Sequence, residues 1–354
     1  MAAGSLAERI PKIHLHCHLE GTLRPETFIE LADKHGVPLR YRPVMLRQAH
    51  HDTESAQDDA GGPYRFDGLQ EFLYLFAAVS RALRGPDDYA RMAREFVADA
   101  LAQNVIYGEL FVSPPVWTFF NPALDVRATM EAIVGELRAA SPHARFRLLP
   151  DVTRNFGPKS AMETARAMAG MTDLDVVGIS LGGDEVRFPA ALFAETFAYA
   201  RAQGLHCVAH AGEADGPQSV RDAVELLQAE RIGHGIRALP DAHTVELLAS
   251  RRVAIEICPT SNRLTGAAMS AYPHPYLDFD RQGCIVAIDA DDPAVFQTSI
   301  SREYALVEEA AGPAALERFA GNAIDASFAS PEEKRTMRAR LESAVVELRE
   351  QSRS

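Results

Sequence analysis

Short apolar, β-branched runs recur along the 354-residue chain, each separated from the next by a stretch with helical spacing. The runs fall at 13–18, 105–112, 145–152, 176–181, 206–211, 231–235, 253–258 and 285–289, eight in all. Brief continuous apolar runs bounded by turn residues mark strands buried on both faces. Between them apolar residues recur three and four apart, as at Leu69, Phe72, Leu73 and Phe76, then Met92, Phe96, Val97 and Leu101. Further helical stretches lie at 127–139, 161–168, 191–203, 220–228 and 244–250. Strict alternation of the two periods implies parallel strands joined by crossover helices. Eight such units favour a closed (β/α)8 TIM barrel over an open sheet. Extra helices flank it: one at 25–35, with Pro25 in its first turn and Gly36 closing it, and a C-terminal group at 314–319 and 331–349 expected to pack outside. Residues 45–66 break the rhythm; polar and turn-rich, they read as a surface loop or a lid over the barrel mouth. No internal repeat or interdomain linker appears, so residues 1–354 are read as one domain.

Composition narrows the function. With 36 basic and 49 acidic residues the chain carries a formal charge of −13, which disfavours a protein that tracks a nucleic-acid backbone. A small neutral ligand needs no basic field and stays open. The first residues lack the apolar core of a signal peptide, and no apolar run approaches a membrane span. Cys17, Cys207, Cys258 and Cys284 form no paired motif and sit in or beside apolar runs, so buried free thiols and a reducing, cytoplasmic setting are expected. Nothing in the chain speaks to its oligomeric state.

Chemically capable residues gather where the predicted strands end. His16 and His18 are two apart, so on a strand both imidazoles project to one side. His14 shares that parity but lies further back and reads as an interior histidine; His50 and His51, in the polar loop, read as solvated. The fifth run ends in His210-Ala-Gly-Glu213, the sixth in Gly233-His234-Gly235 and the eighth in Asp289-Ala-Asp291-Asp292-Pro293. In a (β/α)8 barrel all strand C-termini open on one mouth, so residues some 270 positions apart can meet. Three histidines and a carboxylate form an N/O donor set suited to Zn²⁺ with a position left for water.

The ordered motifs His-x-His-Leu-Glu-Gly, His-Ala-Gly-Glu, Arg-Ile-Gly-His-Gly, Cys-Pro-Thr-Ser-Asn and Asp-Asp-Pro resemble the adenosine/AMP deaminase family of metal-dependent hydrolases, from about Pro11 to Asn322. That resemblance implies a barrel holding one Zn²⁺ and replacement of a purine 6-amino group by oxygen. It also implies that His16, His18, His210 and Asp291 hold the metal and that Glu213 shuttles protons. His234 would orient the attacking water, Asp292 would meet purine N7, and the backbone of Gly183 would touch the ring. The position of Glu20, where adenosine deaminases usually carry Asp, lies near the ribose hydroxyls in that family. The zinc deaminases of cytidine and flipped bases use H-x-E followed by P-C-x-x-C; His18-Leu19-Glu20 fits the first half, but the second is absent.

Substrate identity is less sharply written. Gly183-Asp184-Glu185 and Thr265-Gly266 look like the adenosine branch, whereas His-Leu-Glu-Gly-Thr-Leu is typical of the free-adenine branch. The reading favours a purine nucleoside, with adenine or a modified nucleoside such as aminodeoxyfutalosine as alternatives. Another barrel hydrolase acting on an amide or phosphoester, and an inactive barrel used for binding, are the rival classes. A complete set of ligands and Glu213 argues against the second.

Overall fold

The computed structural model describes residues 5–37, 64, 66, 68–268 and 274–351. Most of the segment expected at 45–66, including His50 and His51, lies outside the described residues; Tyr64 and Phe66 are within them. Eight strands follow one another: β1 (Lys12–His18), β2 (Val105–Val112), β3 (Arg145–Pro150), β4 (Gly178–Leu181), β5 (His206–Ala211), β6 (Arg231–His234), β7 (Ala254–Ile257) and β8 (Ile285–Ile288). All pair in parallel and in chain order, as β1-β2-β3 and β4-β5-β6-β7-β8. The two arcs join at narrower seams. Bridges Leu148↔Val176 and Asp151↔Ser180 connect β3 to β4, and Cys17↔Asp291 connects β1 to the segment after β8. At this last seam the His18 N–H donates to the Asp291 carbonyl at 2.9 Å and the Asp291 N–H to the His16 carbonyl at 3.0 Å. The Asp289 carboxylate extends it, accepting the Leu15 N–H at 2.6 Å. The ring is a closed (β/α)8 barrel.

Its strands are buried along nearly their whole length, and the polar residues they carry, such as His16, Glu109, Arg231 and Glu256, are buried with them. Prolines open the helices Pro25–Lys34, Pro86–Ala102, Pro217–Glu225 and Pro313–Ala326, at positions whose N–H has no helical partner. Each helix turns one apolar stripe inward; in Gly68–Ala82 the buried positions include Phe72, Leu75, Val79 and Ala82. The larger core lies between strands and helices, while Phe111, Leu149 and Val208 form a small cluster from β2, β3 and β5. No helix among the described residues is long and apolar enough to cross a membrane.

Several local features differ from the sequence reading, among them short helices at Pro114–Phe120, Pro259–Leu264 and Tyr276–Arg281. The stretch at 191–203 is a 3-10 turn, Ala190–Phe193, leading into the helix Ala194–Ala202. A helix at Ile300–Ala311, capped by Ser299, was not anticipated. The β1–β2 register slips between His14 and Cys17. Such a bulge breaks the two-residue parity, and His14 contributes to the wall of a separate cavity with Thr22, Arg24 and Phe96 instead of facing the mouth.

Candidate active site

The ends of the strands surround a cavity of about 340 Å³, lined by His18, Gly183, His210, Glu213, His234, Asp291 and Asp292 among others. His16 lies beneath it, fully buried, its ring 4.8 Å from that of Phe111. Backbone geometry aims several of these groups. His234 and Asp291 both have positive φ, +65°, uncommon for residues with a side chain and characteristic of functional turns. Gly233 makes room for the rings of His16 and His210: a Cβ there would sit 2.6 Å from His16 Cε1 and 3.4 Å from His210 Cγ.

Nitrogen and oxygen lone pairs converge on one point. His18 Nε2 lies 3.1 Å from His210 Nε2 and 3.5 Å from Asp291 Oδ1, and His16 Nε2 is 3.4 Å from the same oxygen. His16, His18 and His210 each offer a nitrogen within 4.8 Å of the others'. The unmatched atoms fit a cation: His16 Nε2 is buried with no hydrogen-bond partner, and the facing Nε2 atoms of His18 and His210 could turn both lone pairs onto a cation placed between them. Burial drives the His18 imidazole down to about 3 and His210 well below the ordinary histidine value, leaving both as neutral donors. At His16, burial is outweighed by Asp291 and Glu256, which push it up to about 10 and mark the spot as one that favours positive charge. His234, Cys258, His16 and Asp291 form a second possible group. Burial and the charges of Asp291, Asp289 and Glu256 hold the Cys258 thiol well above its usual range.

Other side chains orient the converging ones. Glu256 Oε2 accepts from His16 Nδ1 at 2.8 Å, which turns the Nε2 lone pair toward Asp291. Ser261 Oγ donates to Asp291 Oδ2 at 2.6 Å. The Asn262 amide sits 2.9 Å from His234 Nδ1; donated to that nitrogen, it leaves the His234 proton on Nε2, 3.7 Å from Glu213 Oε2. Behind Glu256, Arg231 bridges Glu256 (2.5 Å) and Glu109 (2.6 Å), all three essentially inaccessible. Tyr107 OH donates to the other Glu109 oxygen at 2.8 Å. Removing the shared cation strands two buried carboxylates. Arg231→Met is therefore expected to lower unfolding free energy by about 3–5 kcal/mol, measured by urea denaturation; a loss below about 1 kcal/mol would show that the ions are dispensable.

The electrostatics divide the carboxyl groups by role. Burial, then the charges of Asp291 and Glu185, raise Glu213 to about 8, so it carries a proton at neutral pH. Burial and neighbouring Asp291 push Asp292 well above the ordinary carboxyl range, while its Oδ1 is buried and unpartnered. Asp291 is held low: its surrounding histidines overcome the cost of burial.

Two sequence-derived residues stand elsewhere than expected. β1 ends at His18, and Glu20 opens a 3-10 turn, Glu20–Thr22, so strand parity no longer governs its direction. Its Oε1 accepts from the Ser113 N–H at 2.8 Å and the Trp117 indole at 2.6 Å, and Glu20 is not among the residues lining the cavity. Burial, partly offset by those bonds, raises it to about 7. Glu185, read as part of a nucleoside signature, turns inward onto the backbone after β5. Glu256, Ser261, Asn262 and Arg231 were not assigned roles from sequence. The available signal for Glu256 and Arg231 was a full charge inside an apolar strand.

A closed barrel with convergent imidazole and carboxylate donors, a proton-bearing carboxylic acid and a neutral histidine around one mouth defines a metal-dependent hydrolase-type site. Comparison with known proteins specifies it. The family model described as "Adenosine deaminase" matches residues 11–344, and the chain belongs to that family. It is 35% identical to an adenine deaminase of Rhodospirillum rubrum over 340 residues, 94% of this chain and 96% of the relative. It is 32% identical to an adenosine deaminase of Shewanella loihica, covering 93% and 97%. Among solved structures, the adenine deaminase of Arthrobacter aurescens superposes with TM-score 0.83 at 26% identity, covering 95% of this chain and 99% of that one. An amidohydrolase of Burkholderia ambifaria with bound Zn superposes with TM-score 0.82 at 27% identity, covering 98% and 93%.

Proposed function

We propose that this enzyme hydrolytically deaminates free adenine, with a single Zn²⁺ held by His16, His18, His210 and Asp291. The observation that carries the substrate is the state of Glu20. Glu20 stands behind the cavity wall, its Oε1 held by Ser113 and Trp117 and its Oε2 buried and away from the lining, so a sugar in the cavity does not meet it. The rest of the cavity wall is largely apolar, with Leu69, Phe72, Leu73, Phe76, Val116 and Phe119, which suits the faces of a bare purine. No Lys or Arg lines it among the described residues, which disfavours a nucleotide phosphate. An adenosine-type nucleoside is the second reading, supported by the relative named adenosine deaminase and by the Gly183-Asp184-Glu185 segment.

Bound at these four side chains, the cation would acidify water from a pKa of about 16 toward roughly 7 and so supply hydroxide at neutral pH. The chain's own groups make the ring receptive. Glu213, protonated, donates to N1 and draws electrons away from C6, so that the carbon accepts the oxygen. Asp292, also protonated, bonds N7, and the backbone at Gly183 lies against the ring. His234 donates from Nε2 and holds the attacking oxygen in line. The first proton lost by the water passes through Glu213 to the amino nitrogen, the C6–N bond breaks and ammonia leaves, and the remaining hydroxyl proton returns to Glu213 as the C6 carbonyl forms. Water plus aminopurine gives oxopurine plus ammonia, with no redox change.

A panel of adenine, adenosine, 2′-deoxyadenosine and AMP, assayed side by side for ammonia release, tests the substrate. Adenine is expected to have the highest kcat/KM. Glu20→Ala frees the Ser113 and Trp117 donors inside the protein and is expected to cost about 1–3 kcal/mol in kcat/KM for adenine. Adenosine turning over faster than adenine in the wild type would transfer the assignment to the nucleoside.

A further inference from the structure

Building on the assignment of Glu213 as proton donor, we infer that Glu185 is a positioning residue of the reaction, holding the turn that presents Glu213 to the substrate. Glu185 is 3% exposed and reaches from the loop after β4 to the loop after β5. There its carboxylate collects four successive backbone amides. Oε1 accepts from Gly212 N at 2.5 Å; Oε2 accepts from Glu213 N at 3.1 Å, Ala214 N at 2.8 Å and Asp215 N at 3.0 Å.

Four consecutive N–H groups aimed at one point form a concave cradle for an anion. The chain takes this shape because Gly212 sits at φ +72°, left-handed, just after Ala211 ends β5. Without the carboxylate those amides would be facing one another around an empty centre, each losing an acceptor. The turn is fixed from its other side as well: Arg237 Nε donates to the Glu213 carbonyl at 2.7 Å, and Arg237 N to the Gly212 carbonyl at 2.8 Å. Glu213 thus has its amide held by Glu185 and its carbonyl by Arg237, which leaves little freedom in where its side chain starts. Glu185 does not line the cavity; it acts through Glu213, not on the purine.

The assignment separates from a general stabilising role by a double-mutant cycle. Glu185→Gln retains the size of the side chain but turns an NH₂ toward amide donors. An acid displaced by about 1 Å loses on the order of 10²-fold in rate. Glu185→Gln is expected to lower kcat about 10²-fold while KM and metal content stay within about threefold. In a Glu213→Gln background the same change is expected to alter kcat by less than about twofold, because there is no longer an acid to aim. Hydrogen exchange supplies a readout independent of turnover: the amides of 212–215 should exchange faster in Glu185→Gln while those of β5 remain protected. Equal losses in the two backgrounds, or unchanged exchange at 212–215, overturn the inference. If Glu185→Gln does not fold, Glu185→Asp, which keeps the charge but falls one methylene short, enters the same cycle and the same exchange measurement. Failure of the deaminase reading would instead show as a wild-type enzyme inert toward every 6-aminopurine, with the exchange result still deciding whether Glu185 holds the turn.

Discussion

Glu213→Gln is expected to leave the fold and the metal content unchanged and to lower kcat by about 10²–10⁴-fold, the usual worth of a positioned acid–base group. Gln preserves the volume of the side chain and its backbone anchoring by Glu185 and Arg237, but it has no ionisable proton to give. The loss should fall on kcat more than on KM, since proton transfer is completed only in the transition state. A pH signature accompanies it. Glu213 carries its proton below its pKa, which burial and the charges of Asp291 and Glu185 raise to about 8. The donating form is therefore present at neutral pH and lost as pH rises. A cation at Asp291 offsets part of that field, so kcat/KM should fall along an alkaline limb at or below about pH 8. The limb should vanish in Glu213→Gln. Activity within about threefold of wild type in that variant would remove Glu213 from the chemistry.

Metal content is the second large effect. Purified protein is expected to hold about one Zn²⁺ per chain, as a three-histidine, one-carboxylate set does. His210→Ala and Asp291→Ala should each weaken retention by more than the roughly 10–100-fold that loss of an outer hydrogen-bond partner costs; Glu256→Gln, which disturbs the orientation of His16 and one arm of the Arg231 bridge but removes no ligand, should fall in that milder range. His14→Ala should retain the full complement, because His14 belongs to a different cavity. Elemental analysis decides all four. Active enzyme without metal, or a His14→Ala variant that loses it, would contradict the ligand assignment.

Eight strands were legible because each is short, largely buried and rich in apolar residues, so burial writes them into the sequence even where a histidine or a charge interrupts the run. The gathering of His16, His18, His210, Glu213, His234, Asp291 and Asp292 was legible for a topological reason: parallel barrels bring every strand's C-terminus to one face. What escaped was set by contacts between distant segments. Glu20 reads as a mouth residue by parity, but a 3-10 turn begins there and Trp117, 97 positions on, takes its carboxylate. The bulge after His14 depends on pairing with β2 and leaves no periodic trace in β1. Glu185 could be seen as acidic, but not that its acceptors would be consumed by amides about 30 residues away. Side chains that position other side chains carry no spacing rule of their own.

The seam between β1 and the end of β8 gives the proposed ion a role in assembly. His16 and His18 stand near the start of the chain, and Asp291, which bridges to Cys17, stands near its end. During synthesis the two histidines are made early and wait through seven further strands for their carboxylate. With the proposed ligand set, high-affinity metal capture would be a late event, since the full set of donors exists only once the last strand lies beside the first. A cation held by that set would act as a latch on the finished ring, because a barrel left open at this seam lacks the full set of proposed ligands.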